Sequence, residues 1–165
     1  MAIDGAPLAP YPSEGADPAV GETAPTLAGT ALDDTPLTID PGDGRPKVIA
    51  FFAHWCPVCQ SEVPTLTSWL DGGGLSPDAD LYGVSTGVDP ARGNYPPAPW
   101  FAREGWTQPT LVDTATSTAA LSFGLTAYPY FVAVDADGRV VARATGALSI
   151  DAVEQLVDAA IAGGA

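Results

Sequence analysis

The stretch that most limits what this chain can become is Lys47-Val48-Ile49-Ala50-Phe51-Phe52-Ala53-His54-Trp55-Cys56-Pro57-Val58-Cys59. It opens as a nearly continuous apolar run behind the turn cluster Pro41-Gly42-Asp43-Gly44. A short apolar run bounded by a turn reads as a strand buried on both faces. Such a strand needs a layer above and a layer below it. Proline suits the first position of a helix, so the strand is expected to pass into a helix over 57–70. Pro64 should kink that helix, and Gly72-Gly73-Gly74 should end it.

The remaining pattern fits around this unit. A β-hairpin is expected in 20–43, with strands near 26–28 and 37–39. Asp80-Leu81-Tyr82-Gly83-Val84-Ser85 reads as a strand, and 86–97 as a loop rich in Gly, Pro and Asn. Short helices are expected over 99–104 and 116–123, each stopped by glycine, with a strand at 110–112 between them. Asp137-Gly138 is a hairpin signal between strands at 130–134 and 139–145. Ser149 can cap a final helix whose apolar stripe is Ile150, Val153, Leu156, Val157, Ala160 and Ile161. Strands alternating with helices and closed by a hairpin give an α/β fold. Its centre is a mixed β-sheet with helices on both faces. Residues 1–19 carry Pro7, Pro10, Pro12 and Pro18 with no apolar period, and are expected as a flexible leader before one domain over 20–165.

Charge excludes several functions. Twenty acids against six bases leave a net charge of −14, which repels phosphate backbones and anionic lipid. Nucleic acid is set aside, and a monomer is the default. No window approaches the ~18–20 apolar residues of a membrane-spanning helix. Met1-Ala2-Ile3-Asp4-Gly5 has neither the basic start nor the apolar run of a signal peptide. The protein is then either cytoplasmic or a chain that begins after a removed signal or anchor.

The two cysteines carry the chemistry. They cannot build a four-thiolate zinc site, and His54 alone does not complete one, so neither metal nor cofactor is expected. A bridge between them closes too small a loop to add much stability. A thiolate is the nucleophile of disulfide exchange, and a helix N-terminus stabilises that anion through free N–H groups and the dipole. Cys56 lies at that place, and Cys59 one turn further on. His54 is expected as a solvated loop histidine, its alternative being a charge that acts on the thiolate. Trp69, Trp100 and Trp106 are expected in the core or covering it.

Phe51 to Cys59 resembles the active-site segment of thioredoxin-like proteins. Gln60-Ser61-Glu62-Val63-Pro64 extends it to Cys-x-x-Cys-x-x-Glu-x-Pro, which resembles the TlpA/ResA/DsbE group of extracytoplasmic thioredoxin-like proteins. Val20-Gly21-Glu22-Thr23-Ala24-Pro25 is similar to the opening of that group and of the related redoxins. The resemblance spans about residues 20–163 and implies a thioredoxin-like fold with an insert between Ser85 and Thr110. It implies Cys56 as attacking thiol and Cys59 as resolving thiol, with Glu62 as the acid near them. Pro129 would follow a cis bond from Tyr128. Trp55, Pro57, Tyr128 and Pro129 would meet the partner. Plain thioredoxins carry a buried Asp where this chain has Ala50, which leaves Glu62 as the acid nearest the motif by sequence.

The implied function is extracytoplasmic thiol–disulfide exchange with protein partners. One direction is reductase, for example on apocytochrome c with a membrane electron donor. The other is oxidase of secreted proteins. A peroxiredoxin-like peroxidase is the alternative, although no hydroxyl residue lies three before Cys56. A copper-carrying protein remains as a non-enzymatic reading.

Overall fold

The computed structural model describes residues 1–163. Twelve elements run in the order β1 (Ala2–Asp4), β2 (Thr26–Thr30), β3 (Pro36–Ile39), β4 (Lys47–Phe52), α1 (Pro57–Asp71), β5 (Asp80–Ser85), α2 (Pro97–Arg103), β6 (Thr110–Val112), α3 (Thr118–Ser122), β7 (Tyr130–Val134), β8 (Val140–Thr145) and α4 (Ile150–Ala162). Five strands form one sheet in the order β6-β5-β4-β7-β8, and β1-β2-β3 form a second, antiparallel sheet. The first two crossovers are parallel, β4 to β5 and β5 to β6, while β7 and β8 are antiparallel additions. The fold is thioredoxin-like.

β4 is central, and every residue in it is buried. Its alternation feeds two cores. Val48, Ala50 and Phe52 pack with Val63 and Leu66 of α1, Trp100 and Phe101 of α2, and Val153 and Leu156 of α4. Ile49 and Phe51 face the other way, toward Leu27, Ile39, Ala119, Ala120 and Phe123. Lys47 is wholly buried too, which its ammonium tolerates because Asp43 and the carbonyls of Asp40 and Arg45 accept from it.

The leader differs from the sequence expectation. β1 pairs with β2, Leu8 and Ala19 are buried, and the Leu8 and Tyr11 N–H groups donate to the carbonyls of Ser122 and Gly124. Arg143 of β8 is buried, and a buried guanidinium needs a counter-ion. Asp17 supplies it, and the Ala9 carbonyl accepts from the same side chain at 2.8 Å. An extended strap held by scattered anchors carries no apolar period, so pattern reading passes over it.

α3 is shorter than the expected 116–123. Ser117 takes a left-handed conformation, φ 57°, just before it. The helix is capped from outside by Asp113, whose carboxylate accepts from the Ala119 and Ala120 N–H groups and from Thr86 Oγ1.

Candidate active site

The site lies where β4 ends and α1 begins, beyond the carboxyl ends of the parallel strands where an open α/β sheet collects its loops. Cys56 has extended backbone, φ −74°, ψ 119°, and is the N-cap of α1, with Pro57 behind it at the start of the helix. Its Sγ accepts from the Cys59 N–H at 3.4 Å. No acidic side chain occupies the first turn of α1, so the thiol faces the positive end of the helix alone.

The two sulfurs are free thiols here and are not equivalent. Cys56 retains 6% exposure at the site mouth, while Cys59 has none. Burial pushes the Cys59 thiol well up from its ordinary value, and the adjacent Cys56 adds to this. Pro57 and Val58 are exposed beside the pair.

Glu62 lies one further turn along the same buried face of α1 and is 4% exposed. Its Oε2 accepts from the Leu148 N–H at 3.4 Å, and its Oε1 has no partner among the described residues. Burial raises its carboxyl above the ordinary glutamate value.

Tyr128 and Pro129 precede β7, and the bond between them is cis. Pro129 is buried, while Tyr128 is half-buried with its ring edge-to-face on Trp55, centroids 5.6 Å apart. The Trp55 indole N–H donates to the Gly87 carbonyl at 2.7 Å. Gly87 has φ +60°, and a Cβ there would come within 2.7 Å of the Tyr128 hydroxyl. Glycine takes this left-handed backbone without strain and leaves the Tyr128 hydroxyl its place.

His54 is a correction. It is fully buried, not solvated, and both ring nitrogens are engaged. Nδ1 lies 2.6 Å from the Gly93 carbonyl and Nε2 accepts from the Asp89 N–H at 3.1 Å, so Nδ1 carries the proton. Its backbone carbonyl accepts from the Gln60 and Asn94 amides, each at 3.1 Å. His54 therefore fastens the 86–97 loop to the residues before Cys56. Composition marked that loop only as irregular. The usable signal was Gly87, two residues past β5, at the end of the sheet where sites form.

Trp100 and Trp106 are core residues, and Trp69 is half-buried with its indole N–H on Glu154. Among the described residues no group of three or more His, Cys, Asp or Glu side chains could hold a metal ion.

A cysteine capping a helix at the end of a central strand, a second cysteine one turn deeper and an X-cis-Pro loop beside them define a thioredoxin-like protein. More particularly, the chain belongs to the Redoxin family, whose model matches residues 19–159. It is similar to the thiol:disulfide interchange protein DsbE homolog of Paracoccus denitrificans, 31% identical over 131 residues, 79% of this chain and 65% of that one. The chain thus spans slightly under two thirds of that relative's length. HelX, a thiol:disulfide interchange protein of Rhodobacter capsulatus, is 29% identical over 148 residues, covering 87% of this chain and 77% of that one. A secreted Mycobacterium tuberculosis disulfide oxidoreductase homologous to E. coli DsbE superposes with a TM-score of 0.65 at 25% identity. That superposition covers 81% of this chain and 95% of that structure.

Proposed function

We propose that this chain is an extracytoplasmic thiol–disulfide oxidoreductase that exchanges disulfides with protein partners through Cys56 and Cys59. The observation that carries the reading is the asymmetry of the pair. One sulfur caps a helix at the mouth, and the other is enclosed one turn behind it with its N–H on the first. The relatives' names, thiol:disulfide interchange protein and secreted disulfide oxidoreductase, support both the activity and the location. No helix among the described residues is long and apolar enough to cross a membrane.

In the reducing direction the Cys56 thiolate attacks one sulfur of a partner disulfide. That S–S bond breaks, and the other partner sulfur leaves with the electron pair and takes up a proton. Cys59 then loses its proton and attacks the Cys56 sulfur, which closes the Cys56–Cys59 disulfide and expels the second partner thiol. Two electrons and two protons pass to the partner, and oxidation is the reverse. Cys59 holds its proton tightly because it is buried, so it needs a base, and Glu62 on the same buried face serves as one. Trp55, Pro57, Tyr128 and Pro129 form the wall on which an extended partner segment lies.

Reductase and oxidase are one site run in two directions, and the reduction potential separates them. Peroxide reduction is the weaker alternative, since position 53, three before Cys56, is Ala and offers no hydroxyl. The test is trapping. Cys59→Ala should accumulate a mixed disulfide between Cys56 and an added disulfide-bonded protein, and Cys56→Ala should not. Trapping by neither variant would overturn the reading.

A further inference from the structure

Of the six basic residues, three are neutralised within the fold: Arg45 by Asp80, Lys47 by Asp43 and Arg143 by Asp17. Arg139 donates to the Gly21 carbonyl, and Arg103 to the Asn94 side chain. Arg92 differs from all of these. It is exposed, its guanidinium lies 4.0 Å from the centroid of the Trp55 ring, and its side chain has no hydrogen-bond or ion-pair partner among the described residues. Stacking occupies the face of a guanidinium and leaves the N–H donors around its edge free. A cation is thus held against the residue that immediately precedes Cys56, with its recognition edge unused.

The placement is built into the fold. His54 grips the loop on both sides of Arg92, at the Asp89 N–H and the Gly93 carbonyl. Between those grips the Arg92 N–H donates to the Asp89 carbonyl at 3.1 Å, and the Asp89 carboxylate accepts from the Ala91 N–H at 2.9 Å. Beneath the guanidinium, Trp55 is fixed by its bond to Gly87 and by the edge of Tyr128. In a chain of net charge −14 the general field repels acidic partners, so a cation stacked on the residue before Cys56 is a local reversal of it.

We propose that Arg92, stacked on Trp55, is a specificity residue that reads a carboxylate next to the reacting cysteine of the protein partner. The proposal rests on the reading of Cys56 and Cys59 as a disulfide-exchange pair. The partner segment would lie across Trp55 and the exposed Val58 and Tyr95, and its acidic side chain would meet the free edge of Arg92.

The test uses the reduced full chain and two peptides, each with one cysteine carried as a pyridyl disulfide and differing only by Asp or Asn beside that cysteine. The Cys56 thiolate attacks the peptide sulfur, the S–S bond breaks, and thiopyridone leaves with the electron pair. Cys59 then attacks Cys56 and frees the peptide thiol. The second-order rate for Asp over Asn should be about three- to fivefold at low salt, the range of an exposed, well-oriented ion pair. It should approach one in about 1 M salt, where the Debye length is about 3 Å. In Arg92→Gln the ratio should fall to one or below, and Arg92→Lys should restore part of it, which a loss of folding would not reproduce. A ratio of one in the wild type, or the same ratio in Arg92→Gln, overturns the proposal. Failure to form the Cys56–Cys59 disulfide and release the peptide thiol overturns the exchange reading itself.

Discussion

Replacing Glu62 by Gln should make the reduced protein more stable than the wild type at neutral and alkaline pH, with the advantage vanishing in acid. The carboxyl is 4% exposed, its Oε2 takes one long bond from Leu148, and its Oε1 takes none. Burial therefore raises its pKa above the ordinary 4.5. A group that binds its proton more tightly in the folded state contributes stability that is full below 4.5 and is lost as pH rises through the folded value. The wild type should lose ground to the variant at up to about 1.4 kcal/mol per pH unit across that window. The glutamine keeps the shape and can still accept from Leu148, but it buries an amide that costs about 1–3 kcal/mol if unpaired. The absolute offset is therefore less informative than its pH dependence. Asp17 and Asp43, whose ion pairs shape the wild-type profile, are common to both proteins and cancel in the difference. The assay is urea unfolding of both proteins under reductant from pH 4 to pH 8. Each kcal/mol also moves the melting temperature by about 2–4 °C at this chain length. A constant offset at every pH, or an advantage for the Glu62→Gln variant confined to acid, would refute the reasoning that Glu62 is a buried carboxyl with unmet charge.

Other perturbations test the supports of the site. His54→Phe should cost about 2–4 kcal/mol by orphaning the Asp89 N–H and Gly93 carbonyl, and hydrogen exchange at Asp89 should accelerate; unchanged exchange would contradict the clamp. Gly87→Ala should cost about 1–2 kcal/mol for its left-handed backbone, and more if Tyr128 cannot move, with a change in tryptophan fluorescence that an unaffected Trp55 would not give. Arg143→Met should cost about 3 kcal/mol in urea unfolding and open residues 6–17 to limited proteolysis, whereas continued protection would show that the strap does not depend on the Asp17 pair.

The parts of the fold that repeat with a period could be read from the chain. β4 declared itself because burial on both faces demands an unbroken apolar run, and α4 because its apolar stripe and Ser149 cap agree. The places of Cys56 and Cys59 at the start of α1 were legible because a buried strand running into a proline-led helix fixes them, whereas Glu62 was singled out only through the family resemblance, and its burial could not be read from spacing. The leader was not, since Leu8, Tyr11 and Asp17 reach separate partners across the chain with no shared spacing. His54 was misjudged for a related reason. Its burial is caused by a loop more than thirty residues away, with Asp89 and Gly93 offering backbone groups that no side-chain pattern reveals. Arg92 could not be placed on Trp55 by composition, because a stacking partner depends on loop path and not on residue type.

The central claim is that Cys56 and Cys59 form a reversible two-electron couple. Equilibrating the protein in graded glutathione or dithiothreitol buffers and counting free thiols measures it directly. The account predicts one smooth transition between two free thiols and one disulfide, abolished by replacing either cysteine. A midpoint near about −270 mV would mark a reductant and one near about −120 mV an oxidant. A chain that stays in one thiol state across the whole range of buffers would contradict the account.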